Sequence, residues 1–265
     1  MKVLAVHPDV IVVVSRFWQT TCTAVRAGEE GFVIDSPVYP DELEATAGVL
    51  EQAGFPVSGL LATHADWDHL LGRIAFPEAS LGVGESTARR LAAEPGQAQR
   101  ELREFDEEQY VDDRQPLALG GIQSLPVPGR LSLGPDDREI ELHPADGHTA
   151  DGTAFFIAWL HTLVCGDYLS PVEIPWISPG GSVEAYLATL ERLRALVAGA
   201  DTIVPGHGRP LDRADARRVL DEDVAYLEAL RIAGPKAQLP ANRRTGAQRR
   251  IHAENVERLQ RGVSQ

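Results

Sequence analysis

The stretch Thr63-His64-Ala65-Asp66-Trp67-Asp68-His69 places four side chains able to bind a metal, His64, Asp66, Asp68 and His69, within six residues. An apolar run from Val57 to Ala62 precedes it and Leu70-Leu71-Gly72 follows. At the end of an extended strand, positions two apart project the same way, so His64 and Asp66 can reach one point together. Where the chain then turns into a helix, Asp68 and His69 diverge by about 100° and serve a second point. Imidazole nitrogen and carboxylate oxygen are donors that divalent zinc, iron and manganese accept. Taken alone, the stretch also suits a polar loop of solvated aspartates.

Three further segments place metal-binding side chains at strand-to-loop junctions: His148 in Asp146-Gly147-His148-Thr149, Asp167 in Cys165-Gly166-Asp167-Tyr168, and His207 in Pro205-Gly206-His207-Gly208. The seven residues His64, Asp66, Asp68, His69, His148, Asp167 and His207 are what two adjacent ions need when one carboxylate, Asp167, bridges them and water fills the open positions. His7, His143, His161 and His252 lack that setting and read as ordinary surface or core residues. Neither a G-x-S-x-G elbow nor a Walker loop occurs, so no protein nucleophile motif competes with a metal-activated water. Asp68 is the side chain placed to orient or deprotonate that water, and is the expected catalytic residue. Trp67, Tyr168 and Trp176 stand beside these ligands or in the loop that follows them, and are the expected substrate-lining residues.

The elements that must position these groups are legible around them. Val10–Val14, Thr21–Ala27 and Gly31–Asp35 read as strands of an antiparallel meander, with Gly28-Glu29-Glu30-Gly31 as a turn. Pro40 to Ala53 reads as a helix leading back to the strand that delivers His64, a short strand lies near Leu81-Gly82-Val83, and Glu85 to Ala93 reads as helical. From Glu94 to Pro116, eight acidic residues face three arginines. That composition predicts a solvated helix and loop, with a lid over the site as the alternative. Leu117 to Val164 returns to strands broken at Gly120-Gly121, Pro128-Gly129, Gly134-Pro135-Asp136-Asp137 and Asp151-Gly152. Ser182 to Ala198 is an amphipathic helix, Thr202–Val204 a strand, and Arg213 to Ile232 and Thr245 to Arg261 are closing helices. Arg243, Arg244, Arg249 and Arg250 read as a solvated basic face. The expected organisation is one domain over 1–232, with 94–116 as an acidic insertion, and a helical extension over 233–265 packed on it.

Composition narrows the class. The 265 residues, 43% of them hydrophobic, can build a substantial globular core. A net charge of −14 opposes binding to nucleic acid or anionic lipid. The start, Met1 to Pro8, is too short and too soon interrupted for a signal peptide, and no apolar run reaches the roughly 18 residues of a membrane span. The expectations are therefore a cytoplasmic protein acting on a small molecule, with no nucleic-acid or membrane partner; a homo-oligomer is compatible with the sequence. Cys22 and Cys165 cannot form a disulfide framework and read as buried thiols.

The ordered series T-H-A-D-W-D-H, D-G-H-T, C-G-D and P-G-H-G resembles the metallo-β-lactamase-fold hydrolase superfamily over about residues 10–230. That resemblance implies an α/β (α+β) fold, a four-layer αβ/βα sandwich with two metals along the edge where the halves meet. It implies His64 and His148 on the first metal, Asp68, His69 and His207 on the second, Asp167 as the bridge, and Asp35 as a supporting aspartate. Chain length and the plain P-G-H-G motif resemble glyoxalase-II-like and lactonase-like members. Asp66 stands where most members carry a histidine. It resembles the variant of phosphorylcholine esterases and competence-type members, and the glutamate of flavodiiron reductases. The implied cofactor is two divalent ions, zinc foremost, with iron or manganese as alternatives whose standing the harder oxygen donor improves. The implied activity is hydrolysis of a small ester, thioester, lactone or phosphodiester. The alternative is an iron oxygenase resembling persulfide dioxygenases, which use residues matching His64, His148 and Asp167.

Overall fold

Strands that carry valine or isoleucine on both faces need an apolar layer on each side. The computed structural model, which describes residues 1–134 and 138–262, supplies both. Its first half comprises β1 (Lys2–His7), β2 (Val10–Val14), β3 (Thr21–Ala27), β4 (Glu30–Asp35), α1 (Pro40–Gln52), β5 (Gly59–Ala62), α2 (Gly72–Ala75), β6 (Ser80–Gly84), α3 (Glu85–Ala93), α4 (Gln97–Gln109) and β7 (Gln123–Leu125). The second comprises β8 (Gly129–Leu133), β9 (Arg138–Pro144), β10 (Thr153–Ile157), β11 (Thr162–Val164), α5 (Val183–Gly199), β12 (Thr202–Val204), β13 (Leu211–Asp212), α6 (Arg213–Ala233) and α7 (Gly246–Gly262). Of the turn expected at Gly134-Pro135-Asp136-Asp137, residues 135–137 lie outside the described residues, as do 263–265 of the extension.

Strands β1 to β7 form one sheet in sequence order, antiparallel as far as β4 and parallel from β4 to β7. The second sheet runs β13-β12-β11-β10-β9-β8, with β11 and β12 its one parallel pair. Alternation divides β2 between two cores. Val10, Val12 and Val14 meet Ile140, Phe155 and Val204 between the sheets. Ile11 and Val13 join Leu43, Leu50 and Trp67 beneath the helices of the first half. A third core, around Tyr186, Leu190, Leu220 and Leu227, lies between the second sheet and α5, α6 and α7. The four layers are therefore helix, sheet, sheet, helix, the mixed sandwich anticipated from the motifs. Local signals start the helices on the second sheet: Ser182 Oγ accepts from the Ala185 N–H at 3.1 Å, and Asp212 Oδ1 from the Asp215 N–H at 2.8 Å.

Two expectations change. The acidic stretch is not simply a solvated surface segment: Ala98, Leu102 and Phe105 are buried, and α4 is a docked part of the first helical layer. The apolar residues that do this recur at spacings of three and four, which outweighs the acidic composition. Nor does Arg243 belong to a solvated basic face. It is 1% exposed, with Nη1 2.6 Å from Asp223 Oδ1 and Nη2 3.1 Å from Glu222 Oε2. Both cysteines are buried, as expected, and burial pushes both thiols up. No described helix is long and apolar enough to cross a membrane.

Candidate metal centre

Strand register brings the four segments to one edge. β4 and β5 run parallel with Ile34 beside Leu61, so Asp35, which ends β4, and Thr63, which follows β5, emerge together. β11 and β12 run parallel with Val164 beside Val204, so Asp167 and His207 also leave on one side. The sheets are joined there: the Thr153 N–H donates to Thr63 O and the Thr21 N–H to Gly206 O, each at 2.8 Å. Gly206 is required in this packing, because a Cβ would collide with the Asp167 carboxylate. After His64 the chain passes Asp66 and makes one 3-10 turn, Trp67–His69, which carries Asp68 and His69 beside His64, the rings of His64 and His69 lying 4.2 Å apart.

Two triads result: His64, His148 and Asp167, and Asp68, His69 and His207. Asp167 belongs geometrically to both. Its Oδ2 lies 3.8 Å from His64 Nε2, 3.3 Å from His148 Nε2 and 3.3 Å from His207 Nε2, and its Oδ1 lies 3.1 Å from His69 Nε2. Asp68 Oδ2 lies 3.6 Å from His69 Nε2 and 3.7 Å from His207 Nε2. Asp66 Oδ2 lies 3.6 Å from His64 Nε2 and 3.4 Å from His148 Nε2. Metal–ligand bonds of about 2.0–2.2 Å put neighbouring tetrahedral donors roughly 3.3–3.6 Å apart, so these spacings fit shared ions. His64, His69 and His148 also keep Nε2 buried without a hydrogen-bond partner, as does Asp167 Oδ1. Several orphaned acceptors converging on one place are costly unless a cation meets them.

Each imidazole is held from behind through Nδ1. His69 donates to Asp35 Oδ2 at 3.0 Å, His148 to Trp176 O at 2.8 Å, His64 to Thr63 Oγ1 at 3.0 Å and His207 to Trp18 O at 3.2 Å. Carboxylate and carbonyl oxygens only accept, so the proton sits on Nδ1 and Nε2 offers its lone pair inward. Asp35 also accepts the Thr63 N–H at 2.8 Å and the Thr63 hydroxyl at 2.9 Å, which leaves that hydroxyl's lone pair for His64. The Asp35 backbone has φ 58°, a sparsely populated conformation for a residue with a Cβ, kept here by this network.

The electrostatics favour cations throughout. Burial would pull the His207 pKa down, but the carboxylates of Asp167, Glu173 and Asp68 outweigh it and lift it to about 10. Burial also opposes charge on His69 and His148, and again neighbouring aspartates raise both. Burial would raise Asp66 and Asp167, yet the surrounding histidines hold both well below the usual carboxylate range. Such a cluster holds positive charge as protons or as metal ions that displace them.

Among the expected substrate-lining residues, Trp67 is buried against Phe105, ring centroids 4.7 Å apart, within the first helical layer. Tyr168 is 2% exposed, with its hydroxyl committed to Asp146 O at 2.7 Å and accepting the His148 N–H at 3.0 Å, so it supports the His148 loop rather than facing a substrate. Trp176 lines a small cavity of about 10 Å³, with Glu173, Ile174 and Pro175, against His148 and His207.

Sequence reading missed several neighbours. Arg90 of α3 meets Asp66 Oδ1 at 2.8 Å and Asp151 Oδ1 at 2.9 Å, while Asp151 Oδ2 accepts the Ala65 N–H at 2.9 Å. Only the Asp151 part had a signal, its place three residues after His148. Trp18, 47% exposed with its ring 6.5 Å from that of His207, flanks the opposite side.

Comparison with known proteins agrees with this fold. The family described as the metallo-beta-lactamase superfamily matches residues 15–207. A metallo-beta-lactamase family protein from Thermus thermophilus superposes with TM-score 0.71 at 18% identity, over 97% of this chain and 95% of that one. A double mutant of the sec-alkyl sulfatase PisA1 gives TM-score 0.72 at 12% identity, over 97% of this chain and 50% of the other. TTHA1623, solved in a di-iron-bound form, gives TM-score 0.60 at 22% identity, over 78% of this chain and 97% of that one. No curated protein gives a significant match to the sequence.

Proposed function

The chain belongs to the metallo-β-lactamase superfamily, and from that premise we propose that it is a metal-dependent hydrolase of a small ester, thioester, lactone or phosphodiester. The observation that supports this best is the Asp167 carboxylate, which reaches imidazoles of both triads at 3.1–3.8 Å. His64, Asp66 and His148 would hold a first ion, Asp68, His69 and His207 a second, and Asp167 both. A pair of divalent ions there supplies Lewis acidity, lowering the pKa of water towards neutrality and polarising the bond to be cleaved.

The protein's own part is positional. Asp35, Thr63 and the carbonyls of Trp18 and Trp176 fix the imidazoles in the tautomer that presents Nε2, so no reorganisation is needed as charge develops. We assign the Asp68 carboxylate to orient the attacking water and take its proton. It is 6% exposed, with the Thr20 hydroxyl 3.5 Å from its Oδ2. Trp176 and Glu173 line a cavity of about 10 Å³ beside His148 and His207, room for a water next to the ligands.

The test is metal analysis of the purified protein, followed by turnover of thioesters, lactones and phosphodiesters in oxygen-free, ¹⁸O-labelled water. Two ions per chain and one labelled oxygen in the product are expected. Turnover that stops without oxygen and, once air is admitted, consumes oxygen in step with product would replace this reading with an iron oxygenase.

A further inference from the structure

The loop from Ser170 to Ile177 leaves β11 and reaches α5 without joining a sheet, so its buried backbone groups must find partners elsewhere. They find them on the C-terminal extension, beyond the region that matches the family. Arg243 Nη1 donates to Ser170 O at 3.1 Å and to Glu173 O at 2.7 Å. The Ile174 N–H donates to Gln248 Oε1 at 2.7 Å. Asn255 serves both sides of one residue, donating from Nδ2 to Pro175 O at 2.7 Å and accepting the Ile177 N–H on Oδ1 at 2.8 Å. The residue between is Trp176, whose carbonyl accepts the His148 Nδ1–H. Arg243, Gln248 and Asn255 are at most 3% exposed.

We infer that the extension is the template for this loop, and that Asn255, with Gln248 and Arg243, is a positioning residue for His148 and so for the first metal ion. The inference rests on the dinuclear reading above. A polar side chain near the end of a chain ordinarily faces water. Burying Gln248 and Asn255 of α7 and Arg243 just before it costs desolvation, which is offset by their pairing with this loop and with Asp223, Glu222 and Tyr226 of α6. The pairing fixes the carbonyl that orients a ligand, and partners of this kind set metal affinity by about 10–100-fold. Arg243 also fixes the Glu173 backbone beside that carbonyl. Among the described residues no comparable chain of hydrogen bonds joins Asn255 to Asp68, His69 or His207, which depend on the turn after β5, on Asp35 and on the Trp18 carbonyl. The effect of Asn255 should therefore fall on one ion.

The experiment measures both ion affinities of the full chain by titrating zinc, and separately manganese, against a chromophoric chelator. Asn255→Ala should weaken the first ion by about 10–100-fold and leave the second unchanged, with the far-UV circular dichroism of the wild type. Gln248→Ala should act in the same direction and more weakly, whereas Gln248→Glu, which keeps an acceptor for the Ile174 N–H, should restore the affinity. Two unchanged affinities in folded Asn255→Ala overturn the assignment, as does an equal weakening of both ions in step with lost thermal stability. If Asn255→Ala does not fold, the Gln248 pair decides, and equal first-ion affinity in alanine and glutamate variants overturns it. A wild-type chain that binds fewer than two ions contradicts the dinuclear reading instead.

Discussion

Asp66 divides its two oxygens, Oδ1 to Arg90 at 2.8 Å and Oδ2 towards His64 and His148. The guanidinium thus fixes which oxygen remains for a metal and offsets part of the carboxylate's charge. Asp66→Ala should lose the first ion preferentially, while Arg90 stays held by Asp151. Asp66→His should keep two ions, shift preference towards zinc and lower the pKa of the pH–rate profile, because a neutral ligand leaves the ion more positive and the water more acidic. Metal analysis and the pH–rate profile check both. An alanine variant with both ions at wild-type affinity would make Asp66 merely a partner of Arg90. The side chains converging on the centre were legible because each stands beside a strand end in a short motif. Arg90 was not, since nothing local in α3 marks which of its arginines will face the ligand stretch. Tyr168, expected to line the substrate, stands on the supporting side of His148 instead, because adjacency in sequence does not tell which way a ring turns.

At the scale of elements, hydrophobic period located the strands that carry the ligands, while composition misjudged two segments. Charge density made 94–116 look like solvent-facing chain, and arginine density did the same for Arg243. Both readings average over positions, whereas burial is decided by which face meets a layer. In α4 that face carries Phe105, 6% exposed and in ring contact with Phe17, Tyr39, Trp18 and Trp67. Trp67 opens the turn that aims Asp68 and His69, so the aromatic cluster backs the second triad. Phe105→Ala should cost about 3–5 kcal/mol in denaturant unfolding, the range for large aromatic truncations in a core. A surface segment or a free-standing lid would lose no more than about 0.5 kcal/mol, and a value that small would undo the docking of α4 described here.

For the whole molecule, the site's charge belongs to the stability of the sandwich, since the ligands join both sheets. The histidines raised in the fold, His69, His148 and His207, bind protons more tightly folded than unfolded, where their pKa is about 6.5. Their contribution in the metal-free protein is therefore fully present below about pH 6.5 and is lost as pH rises towards the value of about 10 for His207. Asp66 and Asp167 are depressed, so their contribution is present above about pH 4 and is lost as pH falls through their lowered values. Chelator-treated protein should accordingly be most stable between about pH 4 and 6.5, and its melting temperature should fall from pH 7 to 10. Metal binding runs the other way, because it must displace the same protons and gains as they leave. The gap in melting temperature between loaded and chelated protein should thus widen across pH 7 to 10. Thermal unfolding at several pH values, with and without chelator, measures it directly. A chelated protein whose melting temperature held steady or climbed over that range would mean that the histidines are not the proton-binding groups coupling the two sheets, and that the orphaned Nε2 atoms are satisfied in some other way.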